Sequence, residues 1–155
     1  MLVFTPISHE HASRLRSGLD VGVLPGCAVT PALLTALGPE VSTDEADFAA
    51  LSNAGVLALL DDIARTRLVL ALDVRASQIV DRQTPQGEVD VSDLLWSQVQ
   101  ALFTDEPDAA EAVDRARHGA SVSGLGDVLA TPAVTDLLDS FDLLWYSVEE
   151  LDALS

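Results

Sequence analysis

Carboxylates are the residues of this sequence most able to do chemistry, and three of them stand where a sheet would present them. Asp73 directly follows the apolar run Leu68 to Leu72, and Asp105 and Glu106 follow the run Val99 to Phe103 and Thr104. Open α/β sheets place their sites at the carboxyl ends of parallel strands. If these two strands run parallel to a first strand ending at Ser8-His9, the three groups converge. Close carboxylates raise one another's pKa and can share a cation, which suits acid–base work or a divalent ion. The competing role is structural: with 25 acidic residues in the chain, any one pair says little, and helix caps and solvated strand ends use the same residue types.

Other chemistry-bearing residues point the same way, toward structure. His9-Glu10-His11 would share a face on a strand and could hold a metal there. Ser8 reads instead as a helix cap, and on a helix two residues at i and i+2 diverge by about 200°. No metal and no cofactor are therefore expected. Cys27, the single cysteine, follows Gly26 without a histidine near it in sequence and reads as a buried thiol, not a nucleophile. Gly18 and Gly22, or Gly124 and Gly126, lack the spacing and the lysine of a phosphate-binding loop. Trp145 and Tyr146 would face opposite sides of a strand, one into the core and one outward. With Glu149 and Glu150 they form the candidate binding residues, an aromatic anchor and its acidic rim.

Composition limits what such residues can serve. The chain has 155 residues, 48% of them hydrophobic, the size and apolar content of one domain over 1–155. Its formal charge is -17, all eight basic residues are arginine, and the two halves differ. Residues 1–75 carry 9 acidic and 5 basic side chains, net -4; residues 76–155 carry 16 and 3, net -13. Phosphates would be repelled, which disfavours direct contact with nucleic acid or an anionic membrane. A basic partner remains open. The longest uncharged run in the hydrophobic middle, Phe48 to Leu60, falls short of the ~18 residues of a membrane span. A start without basic residues or a long apolar stretch, together with one cysteine, fits a cytoplasmic protein.

The elements that would position these residues follow from caps and periodicity. Leu2 to Ile7 reads as a strand, and His9 to Ser17 as a short helix behind Ser8. Gly18, Gly22, Pro25 and Gly26 mark a loop. Thr30-Pro31 opens a helix that Gly38-Pro39 closes. Ser42-Thr43-Asp44-Glu45 starts the longest helix, with Phe48, Leu51, Val56, Leu59, Leu60 and Ile63 as its apolar face up to Arg65. Leu68 to Leu72 reads as a buried central strand, and Glu88 to Val91 as an edge strand with its carboxylates outward. Val99 to Phe103 is a further apolar run. A helix is predicted over Pro107 to Arg117, another after Thr131-Pro132, and a last strand over Leu143 to Val148. Polar, glycine- and proline-bearing stretches predict mobile loops near 75–87 and 119–131. The order implies an α/β fold, or α+β, built on a single mixed sheet of about five strands covered by helices.

Several of these segments also carry a family resemblance: Val3-Phe4-Thr5-Pro6, Ala28 to Leu33, Asp44-Glu45, Leu72-Asp73-Val74, Asp142-Leu143-Leu144-Trp145-Tyr146 and Glu150-Leu151. Together they resemble a family of acidic α/β proteins from high-GC Gram-positive bacteria, known as a domain of unknown function. That resemblance implies one α/β domain and assigns no catalytic residue. The leading functional expectation is a non-catalytic protein-binding module that engages a basic protein or a second copy of itself. The alternatives are an acidic decoy that mimics nucleic acid and a cryptic enzyme built on Asp73, Asp105 and Glu106.

Overall fold

A computed structural model describes residues 1–60, 66–120 and 124–154. The chain forms β1 (Leu2–Pro6), α1 (His9–Arg16), β2 (Leu24–Ala28), α2 (Pro31–Leu37), α3 (Thr43–Leu57), β3 (Leu68–Asp73), β4 (Ile79–Asp81) and β5 (Glu88–Val91). There follow β6 (Val99–Thr104), α4 (Ala110–Gly119), α5 (Leu125–Leu129), α6 (Pro132–Ser140) and β7 (Leu144–Tyr146), with short 3-10 turns between elements and a last one over Val148–Leu154. The strands make one seven-stranded sheet in the order β4-β5-β2-β1-β3-β6-β7. All its pairings are antiparallel. The α/β class holds, but the expected mixed sheet of about five strands does not.

The two additional strands lie where the sequence signals loops. β2 contains Pro25 and Gly26, yet both fit their places. β1 pairs with β2 only at Val3↔Ala28 and Phe4↔Cys27, so Pro25, which has no N–H, lies where β2 bonds only to β5. A Cβ on Gly26 would stand 2.8 Å from both the Phe4 carbonyl oxygen and Thr5 Oγ1, so only glycine lets the strands approach there. β4 occupies part of the polar 75–87 stretch and takes the sheet edge, which makes β5 an interior strand and not the edge. Likewise α5 lies inside the stretch 119–131; Ser121 and its neighbours to 123 are outside the described residues.

Alternation along β3 builds two cores. Leu68, Leu70 and Leu72 face one side, with Ala12 and Leu15 of α1 and Leu151 of the last turn. Val69 and Ala71 face the other, with buried residues of α2 through α6. The sheet is thus the middle of three layers, and β3 is buried on both faces, as its continuous apolar run predicts. α3 keeps only part of its expected face: Leu51 and Val56, and Leu59 just beyond the helix, are buried as predicted. Ser42 caps it by accepting from the Glu45 N–H at 3.1 Å, but Ala46, Ala50, Leu51, Ala54, Gly55 and Val56 form the buried stripe. Small side chains let this helix lie close to β1 and β2, and Phe48 and Leu60 are left outside. Ile63 and Arg65 lie outside the described residues. No helix among the described residues is long and apolar enough to cross a membrane.

Gly87 combines two constraints: φ is +77°, and a Cβ there would stand 2.3 Å from the Ala28 carbonyl oxygen. Gly18 has a similar φ of +84° with nothing near its Cβ position. Gly18→Ala should therefore cost about 1 kcal/mol, whereas Gly87→Ala should cost about 3 kcal/mol, because the β2–β5 backbone must also move. Urea denaturation of the two variants checks this; equal losses would show that the collision relaxes freely.

Candidate functional site

The antiparallel order separates the three carboxylates that a cryptic enzyme would bring together. Asp73 lies at the β3 end that pairs with Leu2, and Asp105 follows the β6 residue that pairs with Leu68 at the other end. The length of β3 keeps them roughly 20 Å apart, at about 3.4 Å per residue. Asp73 accepts from the Met1 amine at 3.0 Å. Glu106 opens the turn before α4, its carbonyl accepting from the Ala109 N–H. The convergence that acid–base or cation chemistry needs does not form. His9 and His11 sit on α1, where the Nε2–H of His9 donates to the Leu151 carbonyl and His11 contacts the Ser8 hydroxyl. Among the described residues, no three histidine, cysteine or acidic side chains are placed to hold one metal ion.

Asp105 instead makes the most buried ion pair among the described residues. Its carboxylate accepts from the Arg67 backbone N–H at 2.9 Å, from Nε at 3.1 and 3.2 Å, and from Nη2 at 2.7 Å. Both side chains are only 2% exposed. The Thr104 hydroxyl adds a 2.6 Å bond to the Arg67 carbonyl. Two bonds from a planar guanidinium to one carboxylate, plus the backbone donor, meet the demand that a desolvated ion pair be fully bonded. Nη1 is the exception: among the described residues no acceptor bonds to it. It lies 3.1 Å from where a Cβ on Gly55 would stand, beside Leu143.

Arg67 and Leu143 both form part of the wall of a cavity of about 380 Å³ between α3 and the segment from α6 to Leu143. Phe48, Leu51, Leu138, Phe141 and Leu143 supply apolar surface, and Asp139 and Asp142 supply exposed carboxylates. The volume and the mixture of apolar wall with few polar groups are those of a binding pocket. Phe48, 56% exposed, is the residue most informative about the site, and its periodicity had placed it in the core. Alanine and glycine at the neighbouring buried positions were the available signal.

The aromatic pair on β7 splits between the faces. Trp145 pairs with Phe103, which packs on the helix-covered core, and is 61% exposed on that side. Tyr146 is half-buried against the opposite core. Glu150 turns back on the chain, accepting from the N–H of Ser147 at 2.8 Å and from its hydroxyl at 3.2 Å. Glu149 is exposed. Among the four candidate binding residues, then, Trp145 is exposed on the β7 edge and Glu149 in the turn that follows it. The carboxylates that a nucleic-acid mimic would need in one row lie apart: Glu88 and Asp90 on β5, Asp108 before α4, Glu111 and Asp114 on α4, Asp136 on α6. Asp90 is also bonded twice by Arg82.

Cys27 is fully buried in β2. Burial, and secondarily the charge of Glu88, pushes its thiol from 9.0 up to about 12.

A three-layer α/β domain on an antiparallel sheet, with an arginine-walled apolar cavity beside an edge strand, is the class that fold and site define. The chain belongs to DUF6912, a family of unknown function, whose family model matches residues 1–154. The chain matches no curated protein and no solved structure.

Three measurements test this description. Arg67→Met should cost about 3–5 kcal/mol in urea denaturation by stranding Asp105, and Arg67→Met with Asp105→Leu should recover most of the loss; a double variant no better than the single would deny the stranding. The thiol should resist alkylation at about pH 8 except through unfolding. Because the folded state keeps a proton on Cys27 that the unfolded chain releases, this group's contribution to stability is lost as pH rises from about 9 toward 12. A Cys27→Ala variant should show a shallower alkaline loss, read from melting curves across that range.

Proposed function

We propose that the chain is a cytoplasmic, non-catalytic protein-binding module that takes an apolar anchor of a basic protein partner into the cavity between α3 and α6. The observation that carries this is the cavity itself: exposed Phe48 and the apolar side chains behind it adjoin Asp139 and Asp142. A hydrophobic centre within a charged rim is the anatomy of a protein-recognition surface. The net charge of -17 supports a basic partner by steering. It also weighs against self-association, since two such chains repel. Trp145 on β7 extends the surface, because Phe141 to Leu143 lead from the cavity wall directly into that strand.

Arrayed peptides that share one apolar anchor and differ only in flanking charge test the proposal. Arginine-flanked peptides should bind at ~0.1 M salt and weaken at ~1 M, where the screening length falls to about 3 Å. Glutamate-flanked ones should not bind, and Phe48→Ser should weaken every interaction. Equal binding of basic and acidic peptides, or none by either, overturns the proposal.

A further inference from the structure

Three groups on the cavity wall have complementary chemistry. The guanidinium of Arg67 has its charge cancelled by Asp105, so Nη1 offers a donor without net positive charge. Such a donor suits a neutral acceptor, an amide carbonyl, more than a carboxylate. The walls of Phe48, Leu51, Leu138, Phe141 and Leu143 suit a bulky apolar side chain. Asp139 and Asp142, unlike Asp105, are exposed, and on the same wall they suit an ammonium. Ammonium, apolar side chain and amide carbonyl occur together on consecutive atoms of the first residue of a peptide.

We propose that the cavity recognises a free peptide N-terminus whose first residue is large and apolar. The α-ammonium meets Asp139 and Asp142, the side chain fills the cavity, and the first carbonyl accepts from Nη1 of Arg67. This rests on the protein-binding reading and narrows it: the positive charge required of the partner is its α-ammonium. Nothing covalent is involved. The pocket discriminates, because an acetylated terminus would leave both carboxylates unmatched, and a charged C-terminal residue would bring a carboxylate toward them.

The test is a fluorescence-anisotropy titration of the whole chain with a labelled pentapeptide that begins with phenylalanine, in its free and N-acetylated forms, and with one that begins with glycine. The free phenylalanine peptide should bind at least tenfold tighter than either control, because the acetylated form lacks the charge-assisted bond and the glycine peptide lacks the apolar side chain. Asp139→Asn with Asp142→Asn should remove the preference for the free form and leave weak binding of the acetylated one. Gly55→Ala, whose Cβ would stand 3.0 Å from Leu143 and 3.1 Å from Nη1 and must displace one of them, should weaken the free peptide. Equal binding of free and acetylated forms overturns this inference and leaves the protein-binding reading standing. Absence of binding by all three overturns it too, and the arginine-flanked array then decides the broader reading separately.

Discussion

The buried Arg67–Asp105 pair is the constraint around which this molecule is arranged. It joins the residue before β3 to the residue after β6, and those two strands form the centre of one half of the sheet. Neither charge can be left alone at that depth, since an unmatched ion in such a setting costs several kcal/mol. The two strands must therefore end together, in register, with Thr104 bonding the Arg67 carbonyl to complete the junction. The antiparallel sense of β3 and β6 and the position of the cavity wall follow from this one junction. So does the separation of Asp73 from Asp105, which turns a pair of strand-end carboxylates into an N-terminal contact and a buried anchor.

Elements were legible in the sequence where a local rule decides them. Thr30-Pro31 and Ser42 cap helices whose first turns bond to those side chains, because capping needs only residues three apart. The apolar run of β3 forecast a strand buried on both sides, for the same local reason. What was not legible is long-range. Pro25 and Gly26 speak for a loop by their own conformational preferences, and become strand residues only because β1 stops short of Pro25 and needs Gly26 bare. Strand direction was read from an analogy with parallel sheets, while the actual pairings depend on partners tens of residues away.

The candidate site was legible in still smaller part. The exposed aromatic on β7 was expected, and Trp145 is that residue, because alternation along a strand must send one of two neighbours outward. The cavity was not, because its cause lies in residues that do not look like a site. Ala46, Ala50, Ala54 and Gly55 draw α3 onto the sheet, and this leaves Phe48 and the helix flank facing α6. Arg67 was invisible for a related reason. One arginine among eight carries no signal until the fold buries it beside Asp105.

The strand order has a further consequence for how the chain reaches this state. β1 is first in sequence and central in space, with β2, β5 and β4 to one side and β3, β6 and β7 to the other. The chain therefore changes side three times, from β2 to β3, from β3 to β4 and from β5 to β6. Of the neighbours, only β4 and β5 are joined by a short connection, and β1 waits for residues 68–73 to gain its second partner. Each such closure carries an entropic cost before any contact compensates it, so the topology places this domain among slow folders of high contact order. The sheet cannot grow as a simple zipper. Both halves must assemble on the same central strand, and until β3 arrives the edge of β1 stays open to any extended segment that passes.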